Sequence, residues 1–164
     1  MKTDTKQHAS DKGGNAIAQM TIYITPMAAA KDATAMESDK RAAAYVYFDR
    51  LRTEGDGKKL AEAAKCMTGL IFKELEKDQK GDYNKITRLT TTLWFLGDMS
   101  AVPDLQVASG QATAIARSFQ ASQKKEADHW YGVVQYLFET SNILTQVNIL
   151  KAFYSKAKKN DDAD

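Results

Sequence analysis

One cysteine, two prolines and two histidines in 164 residues remove several classes of protein before any pattern is considered. A single thiol cannot build a disulfide framework within the chain, and it agrees with a reducing, cytoplasmic setting. His8, His129 and Cys66 fall short of the Cys and His ligand sets of the common structural zinc sites. No stretch approaches the run of about 18 apolar residues that marks a transmembrane helix, so no membrane partner is expected. The phosphate-loop, dinucleotide and nucleophile-elbow motifs are all missing. Gly55-Asp56-Gly57-Lys58-Lys59 resembles a phosphate loop only superficially. Its spacing is wrong and it follows a helical pattern, so it is a helix-to-helix turn.

Charge of one sign is also scarce. The chain holds 23 Lys+Arg and 21 Asp+Glu, a formal net charge of +2, and no long segment departs far from balance. Binders of nucleic acid usually concentrate basic residues on one face or tail. Residues 89–116 carry only two charged side chains, Asp98 and Asp104. Such a segment is either central in the core or a partner-facing surface, and the cost of burying charge favours the core. Residues 13–30 are uncharged and end in Met27-Ala28-Ala29-Ala30. As a secretory leader they would follow a start bearing Asp4 and Asp11, with an apolar run broken by Gln19, Thr21, Tyr23 and Thr25. That is the wrong pattern for a signal peptide. A disordered tail over 1–15, a helical domain over 16–159 and an acidic disordered tail over 160–164 are expected.

What is present is helical periodicity. Thr25-Pro26 opens a helical pattern that runs to about 54, with a second start near Thr34 suggested by the Thr34-x-x-Glu37 capping box. Met36, Ala43, Ala44, Tyr47, Phe48 and Leu51 form its stripe. The next helix, about 57–79, carries Leu60, Ala63, Ala64, Met67, Leu70, Ile71 and Leu75. Asp82 caps a third over 83–97, with Ile86, Leu89, Leu93 and Leu96 at helical spacing and Trp94 and Phe95 widening the apolar face. A fourth runs from Pro103 to about 122. The last, 124–158, has one stripe through Trp130, Val133, Val134, Leu137 and Phe138 and a second through Leu144, Val147, Leu150 and Tyr154. A break is expected between them at Thr140-Ser141-Asn142. Met20 to Thr25 alternates apolar and polar, as a short extended segment would. The fold class is therefore all-α: a single-domain bundle of four to five helices with an optional N-terminal extended segment.

Candidate chemistry is sparse. Glu126-Ala127-Asp128-His129 offers one Glu-x-x-His pair, but a carboxylate-bridged di-metal bundle needs two. The pattern therefore calls for no metal and no cofactor. Cys66 borders an apolar stripe and reads as structural. Tyr45-Val-Tyr-Phe-Asp-Arg-Leu-Arg52 interleaves aromatics with base, a pattern shared by base-stacking segments and half-buried amphipathic helices. The expected function is a non-enzymatic interaction protein, such as an adaptor, inhibitor, immunity-type protein or accessory subunit, acting on another protein. The alternative is a helical subunit that binds nucleic-acid backbone through Arg41, Arg50, Arg52, Lys58, Lys59 and Lys65. Homo-oligomerisation is compatible with both. The stripes predict that Leu93→Asp or Leu70→Asp, by placing an unpaired charge in apolar surroundings, abolishes the cooperative thermal melt followed by circular dichroism.

Overall fold

The computed structural model describes residues 25–163. Residues 1–15, His8 and all of the 20–25 alternation except Thr25 lie outside the described residues. Those described are all-α, with six α-helices: α1 (Pro26–Asp32), α2 (Ser38–Thr53), α3 (Gly57–Leu75), α4 (Tyr83–Leu96), α5 (Val102–Ser118) and α6 (Lys124–Ala163). Short 3-10 turns at Asp78–Lys80, Met99–Ala101 and Ala121–Gln123 precede α4, α5 and α6. The count exceeds the expected four to five because the stretch from 26 to 54 forms two helices. Thr34 does not cap the second one. Its hydroxyl donates to the Lys31 carbonyl at the end of α1 (3.0 Å). Arg41 reaches back to the Ala35 and Met36 carbonyls (2.9 and 2.7 Å) and holds the connection. Met36 is consequently exposed in that connection rather than part of a buried stripe.

The chain divides into two compact units within α3, one up to Cys66 and one from Met67, where the sequence pattern reads as one domain over 16–159. In the first unit, α1 packs on α2. Ala29, Ala30, Ala43, Ala44, Tyr47, Phe48, Leu51, Ala63 and Ala64 are buried, so much of the helical packing uses alanine. The Asp56 carboxylate accepts from the Lys59 N–H (3.1 Å) and caps α3.

The second unit contains the end of α3 and helices α4, α5 and α6. The Asp82 carboxylate accepts from the Lys85 N–H at the start of α4 (3.0 Å). Gly97 ends that helix in the left-handed region, φ +69°, a conformation that costs other residues strain. Ile86, Leu89, Leu93 and Leu96 are buried as their spacing predicts. Helix α5 presents Leu105, Ala108, Ala112 and Ile115 inward and packs extensively on α6. There Ser109 donates to the Val134 carbonyl (3.1 Å). The charge-poor stretch 89–116 is thus mainly core, although Trp94, Phe95, Met99 and Val107 on it are exposed. Leu70, expected in the core, is only half-buried, so Leu70→Asp should destabilise less than Leu93→Asp, whose site is fully buried.

Helix α6 is unbroken over its 40 residues, contrary to the break expected at Thr140-Ser141-Asn142. The Ser141 hydroxyl donates to the Phe138 carbonyl (2.7 Å), and Thr145 donates to the Ser141 carbonyl (2.8 Å). These hydroxyls satisfy themselves within the helix and do not interrupt it.

Two glycines test the packing in opposite directions. A Cβ at Gly81 would collide with the backbone carbonyl of Glu74, whereas one at Gly110 would meet nothing. Gly81→Ala should lower stability by about 1–3 kcal/mol. Gly110→Ala, in the exposed interior of α5, should raise it by about 0.5–1 kcal/mol. Urea denaturation of both variants checks the pair.

Candidate functional site

The part of the second unit that most resembles a working surface lies where α4 ends beside α6. Tyr83 stacks on His129 (ring centroids 4.8 Å apart, planes 10° apart) and meets Trp130 edge-on. Further along, Thr91 and Tyr136 share a hydrogen bond between hydroxyls (2.7 Å). At the end of α4, the Asn148 amide donates to the Gly97 carbonyl (3.1 Å) and to Leu144 of its own helix (2.7 Å). These contacts run in the same chain direction on both helices, so α4 and α6 are parallel neighbours, and α4 ends at the level of Asn148.

Between the last two contacts, large apolar side chains face outward. On α4 and the turn after it these are Trp94 (53% exposed), Phe95 (38%) and Met99 (42%), and on α6 they are Ile143 and Val147 (37% each). Phe95 sits one helical turn beyond Thr91 on the same face, toward α6. Beyond Asn148 the helix continues with Ile149, Leu150, Phe153 and Tyr154 all exposed, from 56% to 73%. The second predicted stripe of the last helix is therefore split. Leu144 is core, while Val147, Leu150 and Tyr154 point away from it.

The candidates for chemistry stand apart from this surface. His129 is exposed and its ring is occupied by the stack with Tyr83. Among the described residues no three His, Cys, Asp or Glu side chains converge as metal ligands. Cys66 is half-buried beside a small cavity of about 360 Å³ lined by Thr25, Pro26, Met27, Glu62 and Lys65. Burial and then Glu62 push its thiol above the usual range, with Lys31 pulling the other way. That makes it a poor nucleophile near neutral pH. An open groove of about 740 Å³ between the Asp78–Lys80 turn and α5 is lined by Leu75, Gln79, Lys80, Gln111 and Ile115 among others. It offers amides and lysines but no paired nucleophile and base.

The six basic residues of the nucleic-acid reading all lie in the first unit. Arg41 is spent on the α1–α2 connection. Arg50 lies over the Tyr47 ring (5.4 Å) and 3.9 Å from Glu54. Arg52 pairs with Asp49 (3.6 Å) and Lys59 with Asp56 (3.8 Å). Lys58 and Lys65 are exposed on α3. Acidic neighbours on the same helices thus answer several of these cations, and the aromatics beside Arg50 face inward, since Tyr47 and Phe48 are buried.

One charged site escaped the sequence patterns. Glu74 falls on the apolar row of its helix, seven residues after Met67 and three after Ile71, and it is buried there at 3% exposure. Its carboxylate accepts from the Asp82 N–H (2.9 Å) and from Lys77 (3.0 Å), with Lys85 at 3.6 Å. The cap residue Asp82 and a carboxylate standing on the apolar row after Met67, Leu70 and Ile71 are the sequence signals for this turn. No family model, no curated protein and no solved structure matches the chain.

Burial alone would raise the Glu74 pKa, but the Asp82 N–H, Lys77 and Lys85 outweigh it and hold the group below the usual glutamate range. A depressed carboxylate contributes stability that is complete above its unfolded pKa and is lost as pH falls through the folded value. The melting temperature should therefore drop as pH is lowered from about 5 to about 3, and Glu74→Gln should flatten that drop. A pH series of thermal melts reads both.

Proposed function

We propose that the protein is a non-enzymatic interaction module that binds a partner protein through the apolar edge formed by the end of α4 and the middle of α6. The observation that carries this reading is the clustering of Trp94, Phe95, Met99, Ile143 and Val147, each more than a third exposed, on one packed edge of the second unit. Apolar side chains scattered singly over a surface need no explanation, but five on two neighbouring helices and the turn after one of them, a tryptophan among them, have the composition of an interface centre. The edge is held rigid from both sides by the Thr91–Tyr136 and Gly97–Asn148 hydrogen bonds. A partner would therefore meet a formed surface and not have to order one. The scarcity of histidine and the raised thiol of Cys66 also favour binding over catalysis.

The test is affinity capture from native extract with wild-type protein and with Trp94→Ser/Val147→Ser. The reading expects a stoichiometric protein partner that survives chelator and nuclease, retained by the wild type and reduced at least tenfold by the double variant, whose own melt is unchanged. Loss of two central interface anchors of about 1–2 kcal/mol each is enough for that reduction. Retention of the partner by the double variant would remove this edge as the binding surface. A partner lost on nuclease treatment would favour the nucleic-acid reading instead.

A further inference from the structure

The stretch of α6 beyond Asn148 has a property that the edge just described does not need. Residues 149–162 are exposed at every position, although Lys151 reaches back to place its Nζ beside Gly97 at the end of α4. From Ile149 to Lys159 the residues are nevertheless sorted around the helix, and Asn160 and Asp161 end the apolar arc. With about 100° per residue, Ile149, Leu150, Phe153 and Tyr154 fall within one arc of roughly 140°. Lys151, Lys156, Lys158 and Lys159 all fall in the remaining arc. Lys151 and Lys158 border the apolar arc on the Tyr154 side, and Lys156 borders it on the Ile149 side. Between Glu139 and Asp161 the helix carries no acidic residue at all. A solvated helix end would mix lysine with glutamate, as the outer face of α3 does.

We propose that this segment, from Ile149 to Asn160, docks on an anionic lipid surface. It lies in the plane of the headgroups, with Ile149, Leu150, Phe153 and Tyr154 turned into the interface. Lys156 and Lys158, one on each edge of the stripe, extend sideways to lipid phosphates and carboxylates. Charge complementarity selects this occupant. A plane of negative charge answers lysines on both edges of an apolar stripe at once, and basic amphipathic helices bind such planes by combining the two terms. A second copy of the chain is a poorer fit. Two stripes packed face to face bring the bordering lysines of both helices to one rim, where like charges repel. Docking in the plane requires no membrane-spanning run, and no helix among the described residues is long and apolar enough to span. The proposal is independent of the protein-binding edge on α4, which belongs to the packed part of the second unit.

The segment is also poised to respond. An isolated helix of about 12–15 residues is marginal in water, so the free end depends on propagation from the packed half of α6. Contact with lipid would supply the missing apolar partner and raise its helicity.

The experiment is co-sedimentation of the full-length protein with vesicles of phosphatidylcholine alone and with about a third phosphatidylserine. The expected result is binding only to the anionic vesicles, weakened several-fold on raising salt from about 0.1 M to 0.5 M, with a gain in helical circular dichroism. Leu150→Ser/Phe153→Ser should reduce the bound fraction at least fivefold, and Lys156→Gln/Lys158→Gln should reduce it several-fold. Neither variant should shift the thermal melt, because these side chains lie outside the core. Absence of binding to anionic vesicles overturns the proposal. So does undiminished binding by the Leu150→Ser/Phe153→Ser variant, which would reduce the effect to unspecific charge. A wild-type dimer in size-exclusion chromatography that Phe153→Ser converts to monomer would assign the stripe to a second copy and also overturn it.

Discussion

The fixed period of the α-helix governs what the second unit can bury and what it must leave exposed. In α6 the buried positions Trp130, Val133, Leu137, Thr140 and Leu144 recur at three and four residues and trace one row along the helix. Continued forward, that row meets Asn148, Lys151, Ser155 and Lys158. The side chains stop being apolar at the level where α4 runs out. Asn148 closes the row by donating to the Gly97 carbonyl, a group left without an intrahelical partner at the end of α4. From there the apolar residues leave the core row and turn by roughly a third of a revolution onto a new face. A single continuous helix is therefore a packed element over its first half and a free amphipathic element over its second.

The α3–α4 turn is the counterpart that fixes the start of the parallel pair. Glu74 is buried with its charge kept, because the Asp82 N–H and two lysines meet it. Removing one partner from such a group costs more than the net worth of the pair. The same turn brings Gly81 so close to the Glu74 carbonyl that a side chain has no room. Asp82 accepts from Lys85 at the first turn of α4, so the cap, the buried carboxylate and the glycine position this helix together. The level at which α4 ends, and with it the exposed apolar edge, follows from that anchoring and from the helix length.

The legible features in the sequence were those written in local chemistry. Asp82 as a cap and the Ile86, Leu89, Leu93, Leu96 row were each visible because one helix suffices to specify them. The division of 26–54 was legible as a second start near Thr34 but not at its place, Ser38, since Thr34 offers the same hydroxyl to a capping box ahead of it and to the Lys31 carbonyl behind it. Only the long reach of Arg41 shows which is used. The Thr140-Ser141-Asn142 run misled in the other direction, because side-chain bonds that interrupt a weak helix are tolerated inside one packed along its length. Periodicity grouped Leu144 with Val147, Leu150 and Tyr154. It registers that a face is apolar, but not whether a neighbouring helix extends far enough to cover it. The exposure of the apolar edge at Trp94, Phe95 and Val147 was missed for that reason. Trp94 and Phe95 look like extra core until α6 takes its place.

A helix that is packed at one end and bare at the other gives the protein two differently built surfaces on one rod. One is rigid, apolar and rimmed by hydrogen bonds; the other is basic, amphipathic and dependent on its neighbour for its fold. Amide hydrogen exchange along α6, in dilute protein without lipid or partner, tests this division most directly. Amides from Trp130 to Leu144 should exchange only with global opening, while those beyond Lys151 should exchange orders of magnitude faster. Uniform strong protection from Trp130 through Lys159 would contradict it, because a bare helix end has no packing to supply that protection.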